Sequence, residues 1–190
     1  MGRHRFDPAH AHKLDDPRRL QSEPQVKILD ALDVSSARVI VEIGAGSGYY
    51  TSHLSTILGA GGIIVACDVS EQMLEILGRR HLGQTQPVLI EEFRLPLKDR
   101  TADVVLAANV LHEFADQEGM LHEVFRVLKP GGQVGIVDWK KQEMAFGPPL
   151  QERLDVQEIT SQLTKTGFAG IATHDLVQYH NVVSAAKDLE

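Results

Sequence analysis

Three glycines at alternate positions, Gly44, Gly46 and Gly48, follow the β-branched run Val39-Ile40-Val41 and lead into Ser52–Leu58, whose apolar residues fall at helical spacing. A turn of this kind leaves no Cβ in the way, so a ligand can lie directly against backbone amides at the amino end of a helix. The charge around the turn decides which ligand. Glu42 stands two residues before the first glycine, and Asp68 closes the apolar run Ile63–Cys67 twenty residues after the last. A carboxylate at that remove can accept both hydroxyls of a ribose. With Glu91 these acids are expected to line one cleft with negative charge, which repels a pyrophosphate and favours a cationic ligand. A dinucleotide fingerprint would also want a third glycine where Tyr49 stands.

A second group of reactive residues ends another apolar run. Asp103–Ala108 passes into Asn109-Val110-Leu111-His112-Glu113, and ligands of open α/β sheets sit outside such strand ends, where strand order reverses. His112 can take up a proton near neutral pH. Glu113 is a possible partner, although neighbours on a helical turn do not face each other and need not cooperate.

The elements that must position these groups follow from periodicity. Residues 1–24 are polar and rich in histidine and proline and read as an arm, with one helical turn around Pro17–Leu20. Gln25–Leu32 reads as a helix. The strand and glycine turn come next, and Gly59-Ala60-Gly61-Gly62 ends the helix that follows. Strand two ends at Asp68, and Ser70 caps a helix starting at Glu71. Pro87–Ile90 is expected to be a buried third strand, and Asp103–Ala108 the fourth. A helix over Gln117–Leu128 is broken by Lys129-Pro130-Gly131-Gly132 before strand five, Gln133–Asp138. A helix over Val156–Thr166 precedes two strands, Ile171–Tyr179 and Asn181–Ala186, joined at His180. The fold class is therefore α/β with seven strands.

In the E-x-G-x-G-x-G turn, Asp68, the Asn109 segment and the Leu-Lys-Pro-Gly-Gly turn, in this order, residues 39–141 resemble the class I S-adenosylmethionine-dependent methyltransferases, nearest their small, quinone-methyltransferase-like type 11 branch. The resemblance implies that these strands form a Rossmann-like, seven-stranded, mostly parallel sheet with helices on both faces and an antiparallel last strand. It also implies S-adenosyl-L-methionine as cofactor, held by Glu42, Gly44, Ala45, Gly46, Gly48, Asp68, Val69 and Asn109. It further implies that Glu91 accepts from the adenine amino group while the backbone of Glu92 reads the ring. Met73 would pack on the adenine, although its spacing suits a core residue equally well. Asn109–Glu113 should face the transferred methyl, with His112 and Glu113 as catalytic candidates. The arm, Phe6, Asp7, Lys13, Leu14 and Asp15 included, would act as a lid on a methyltransferase domain of residues 25–190. Trp139 either lines an acceptor pocket or shields the core.

Composition narrows the partners. At 190 residues, 43% hydrophobic and 24% charged, the chain is expected to form one domain. A net charge of −7 offers little to a phosphate backbone, so no nucleic acid is expected. The acceptor is expected to be a small molecule. Cys67 is the only cysteine, which suits a reducing compartment and excludes an internal disulfide. Without an apolar run long enough to span a bilayer, the reading is a cytoplasmic protein with no membrane partner. His4, His10 and His12 lack the accompanying ligands of a metal site, so none is expected. The alternative function is a non-catalytic module that binds S-adenosylmethionine or S-adenosylhomocysteine.

Overall fold

The computed structural model describes residues 5–58, 61–92 and 94–189. Seven strands form one sheet: β1 Val39–Ile43, β2 Ile63–Asp68, β3 Thr85–Leu89, β4 Ala102–Ala108, β5 Leu128–Trp139, β6 Ala169–Thr173 and β7 His180–Ala186. Their order is β3-β2-β1-β4-β5-β7-β6. The first five run parallel, and β7 lies antiparallel to both β5 and β6. Strand order therefore reverses between β1 and β4, where the sequence reading located the ligand crevice.

Period-two alternation sends successive side chains of each central strand to opposite faces. Ile40, Ile64, Val104 and Leu106 meet the helices α2 (Gln25–Ala31), α3 (Tyr49–Leu58) and α4 (Glu71–Gly78) through Ile28, Leu29, Leu54 and Leu77. Val41, Val65, Val105 and Ile136 meet α5 (Gln117–Val127) and α6 (Val156–Thr166) through Leu121, Val124, Ile159 and Leu163. The Asp155 capping box starts α6, and Gly167, at φ +103°, ends it. Both faces are thus closed, and the polar groups collect at the carboxyl rim.

Several expectations are corrected. The third strand is a half-exposed edge, because β2 covers one side of it and no strand among the described residues pairs with the other. Strand five begins at Leu128, since Ala102 pairs with Leu128 ahead of a bulge, so Lys129–Gly132 belongs to the strand. The last two strands do not meet at His180: β6 stops at Thr173, and residues 174–179 form a loop. The helix end expected at Gly59 and Ala60 lies outside the described residues, as does His4. The arm holds a 3-10 turn at Pro8–Lys13 and the single turn α1, Arg19–Ser22.

Candidate active site

The glycine turn is made by backbone. Gly44 and Gly48 have φ of +71° and +90°, and a Cβ would stand 2.7 Å from Val110 at the first and 2.5 Å from Leu77 at the second. Only glycine meets both demands without strain. The Gly44 and Ala45 amides donate to the Cys67 carbonyl at 2.9 and 3.0 Å. Asp68 ties down the far side, its two oxygens accepting from the Gly46 and Ser70 amides at 2.8 Å each. Burial raises the Asp68 carboxyl above its usual range, and these backbone donors act against the rise.

Glu42 departs from expectation. It points into the face of the sheet under α3, where Thr51 Oγ1 donates to it at 2.6 Å. Burial pushes its carboxyl up to about 8, so it is protonated at neutral pH and adds no charge to the cleft. The desolvation that the sequence could not register outweighs the expected ionisation.

Around the turn, Ser70 Oγ accepts from the Met73 amide and caps α4 as expected. Met73 is buried yet belongs to neither core cluster. Val69 and Glu91 are exposed on the rim. Glu92 accepts from the Ala115 amide at 2.8 Å and pairs with Arg5 of the arm.

On the other side of the crevice Asn109 takes the left-handed conformation, φ +56°, which asparagine tolerates better than most residues. That twist carries the chain from β4 across the rim into a 3-10 turn at Leu111–Glu113. His112 is buried there, its Nδ1 2.6 Å from Asp138 Oδ1, while its amide donates to Asp138 Oδ2 at 3.0 Å. The carboxylate fixes the Nδ1–H tautomer, which turns Nε2 into the basic atom. Burial opposes a charged imidazole, but attraction and hydrogen bonding from Asp138, with smaller contributions from Glu113 and Glu152, leave His112 above its ordinary value.

Two corrections follow. Glu113 Oε1 lies 4.0 Å from His112 Nε2, so these neighbours do approach each other, through the reach of their side chains, since a 3-10 turn rotates about 120° per residue and directs adjacent residues apart. Burial also pushes Glu113 up to about 7. Asp138, read before only as a strand end, is the residue that orients His112. Strand register could have suggested it, because Ala108 pairs with Val137 and sets Asp138 beside the Asn109 loop.

The arm closes the remaining side. Asp15 accepts from Ser47 Oγ at 3.1 Å and pairs with Arg80, Leu14 lies against Gly46, and the Phe6 amide donates to Glu113 at 3.3 Å. Its deepest residue, Glu23, had no sequence signal. The buried carboxylate accepts from Arg19, from the Tyr50 hydroxyl at 2.7 Å and from Asn109 Nδ2 at 2.8 Å. Trp139 packs at a tilt against buried His180, ring centroids 4.3 Å apart and planes at 44°. Among the described residues no group of side chains could hold a metal ion, and no helix is long and apolar enough to cross a membrane.

The donor chemistry fits a sulfonium nucleoside: a glycine cradle, a carboxylate at the end of β2 and an orphaned buried acceptor, Asn109 Oδ1, gather at the carboxyl ends of the central strands. Residues 41–136 match the model of a methyltransferase domain family. A crystal structure of an S-adenosylmethionine-dependent methyltransferase from Aquifex aeolicus superposes with a TM-score of 0.90 at 31% identity, covering 96% of this chain and 99% of that one. An uncharacterized methyltransferase-like protein of Schizosaccharomyces pombe is 34% identical over 61% of this chain and 43% of its own length. The ubiquinone/menaquinone biosynthesis C-methyltransferase UbiE of Idiomarina loihiensis is 33% identical over 60% and 47%. The chain spans less than half the length of these curated relatives. Fold, glycine turn and family match together make this chain a member of the class I S-adenosylmethionine-dependent methyltransferases, in their type 11 branch.

Proposed function

We propose that the protein transfers a methyl group from S-adenosyl-L-methionine to a small-molecule acceptor by in-line displacement, with His112 removing the acceptor's proton. The observation that carries this reading is the buried His112–Asp138 contact beside the glycine turn. The cofactor, when bound, supplies an electrophilic methyl on a sulfonium. Asp68 would hold the ribose, the backbone of Gly44, Ala45, Gly46 and Gly48 would leave room for the ligand, and Glu42 would brace α3 from below. Val69, Met73, Glu91 and Glu92 would surround the base, and Asn109 would face the sulfur end. Asp138 orients His112 so that Nε2 can accept a proton, and Glu113, near neutral pKa, can share it.

The arm's contacts to Ser47, Glu92 and Glu113 support a lid of residues 1–24 over a methyltransferase domain of residues 25–190. A closed lid of this kind excludes water from the site. It leaves room for a small acceptor more readily than for a polymer, and the net charge disfavours nucleic acid. A cytoplasmic location accords with the free, buried Cys67. The test is to mix purified protein with methyl-labelled cofactor and a panel of small phenols, enols and amines. Release of S-adenosylhomocysteine together with labelled product is expected. Binding of the cofactor with no turnover on any of them would favour the non-catalytic alternative.

A further inference from the structure

Between β5 and α6, residues 140–149 carry neither helix nor strand before the 3-10 turn Leu150–Glu152. Connections in α/β units commonly take roughly two to six residues, and longer ones tend to carry function. One side chain fastens this segment. Arg153 is buried, and every nitrogen of its guanidinium is used on the loop's own backbone: Nη1, Nη2 and Nε donate to the carbonyls of Gln142, Phe146 and Pro148 at 2.5, 2.8 and 2.8 Å. Hydrogen bonds from a charged donor are the stronger kind, so these hold the loop in one conformation.

What the loop presents is aromatic. Phe146 is 48% exposed, yet its ring stands edge-on to Tyr179 at 4.9 Å and to Trp139 at 5.9 Å between centroids. Gly147, at φ +87°, lies against Trp139, where a Cβ would come within 3.1 Å of the ring. A single exposed phenylalanine needs no explanation. One that a buried arginine holds against two further rings does.

The position of the rings supplies it. Trp139 directly follows Asp138, the residue that orients His112, and Asp138 pairs across the β5–β7 ladder with Asn181, whose Nδ2 donates to the Leu154 carbonyl at 2.8 Å. The root of the loop is thereby docked beside the base, and the charge of Glu152 reaches His112. On the other flank Trp139 packs against His180, which stands 3.7 Å from Glu23, the partner of Asn109. The cluster continues the rim past His112, on the side away from the glycine turn.

We propose that residues 140–149, fastened by Arg153, recognise the methyl acceptor, with Phe146, Tyr179 and Trp139 taking a flat apolar ring that the acceptor carries beside the methylated atom. Phe146 is then a specificity-determining residue and Arg153 a positioning residue. This rests on the transfer reading above and adds to it the class of acceptor. Aromatic faces and edges carry opposite partial charge, so a flat ring gains from burial and orientation together, where a saturated ring of the same skeleton gains from burial alone.

Trp139 is the only tryptophan, so its indole N–H gives one resonance that reports on the cluster. Titrating 2-naphthol into the full chain, with S-adenosylhomocysteine present, is expected to move that resonance along a saturable curve, and decahydro-2-naphthol should bind about three- to tenfold more weakly. Phe146→Ala, a change at an exposed position, should weaken 2-naphthol by about five- to twentyfold, and Phe146→Tyr should restore it to within about threefold of the parent. Arg153→Lys keeps the charge but cannot reach three carbonyls, and should weaken 2-naphthol about as much as Phe146→Ala does. In all three variants S-adenosylhomocysteine affinity, measured by calorimetry, should stay within about threefold, which loss of the fold would not allow. No saturable shift, equal affinity for the flat and the saturated ring, or parent-like binding in Phe146→Ala overturns the proposal, and the Phe146 variants decide it if Arg153→Lys does not fold. Should 2-naphthol bind as expected while S-adenosyl-L-methionine methylates none of the phenols, enols and amines, ring recognition stands and the transfer reading falls.

Discussion

The two sides of the crevice are built differently. On the β2 side the site is backbone: positive-φ glycines, two amides on the Cys67 carbonyl and a carboxylate held by amides from residues 46 and 70. On the β4 side it is side chains brought together from afar, with Asp138 on His112 and Glu23 on Asn109, 26 and 86 residues apart in sequence. Backbone geometry is constrained by which residue types can adopt it, and so leaves a local trace. Long-range side-chain contacts leave none. The first side should tolerate change poorly in folding and binding alike, whereas changes on the second should remove one function at a time.

The largest expected effect lies on the β4 side. His112→Ala should lower kcat by about 10²–10⁴, the usual contribution of a positioned base, while S-adenosylhomocysteine affinity stays within about threefold. Normal turnover on the true acceptor would remove His112 from the chemistry. Gly44→Ala probes the other side. The forced left-handed backbone and the contact with Val110 are together expected to cost about 2–4 kcal/mol, seen as a thermal midpoint lower by roughly 5–15 °C. Cofactor binding should fall with it; a stable variant with intact binding would show that the turn is not constrained.

This contrast also explains what the sequence disclosed. Gly44, Gly46, Gly48 and Asp68 were legible, because only glycine fits the turn and the carboxylate ends a recognisable apolar run. The strands and the helix faces were legible through periodicity, whereas the sheet's arrangement followed from the resemblance and the rule for open α/β sheets. The arm's Glu23 was not, because a glutamate before a proline reads as solvent-facing until Tyr50, Asn109 and Arg19 arrive from other elements. Glu42 was seen but its charge misjudged, since burial under α3 is a tertiary fact. His112 and Glu113 were kept apart by an argument from backbone direction, which the reach of the two side chains overcomes.

Smaller effects sharpen the comparison. Asp68→Ala removes charge-assisted acceptors and should weaken S-adenosylhomocysteine by one to two orders of magnitude, from roughly 1.5–3 kcal/mol per such contact. Unchanged affinity in the folded variant would contradict the ribose role. The base side predicts a pH profile. His112 must be neutral to accept a proton, so kcat should rise with pH through a midpoint above 6.5 and then level off. In Asp138→Asn the largest attraction that raised His112 is lost, and burial opposes only the smaller pull of Glu113 and Glu152, so the midpoint should move down. A stationary midpoint would mean that another group titrates; Glu113, at about 7 and coupled to His112, is the one to examine.

The smallest effect concerns Glu42, where the two ways of building a site meet. Its glutamate sits in the glycine motif, yet its carboxyl is neutral at pH 7 and hydrogen-bonded to Thr51. The pKa is raised in the folded state from 4.5 to about 8, so the folded chain binds this proton more tightly than the unfolded chain does. The stability it contributes is fully present below about 4.5 and is lost as pH rises through 8. Glu42→Gln, neutral at every pH and of the same shape, should flatten that part of the stability profile and leave the variant more resistant to urea at pH 8 than the parent. Because glutamine reproduces the protonated carboxyl, S-adenosylhomocysteine affinity at pH 7 should change by less than about threefold, far less than for Asp68→Ala. A large loss of affinity, with the parent's pH slope retained, would mean that Glu42 acts as an anion after all and that the cleft draws its cation from both sides.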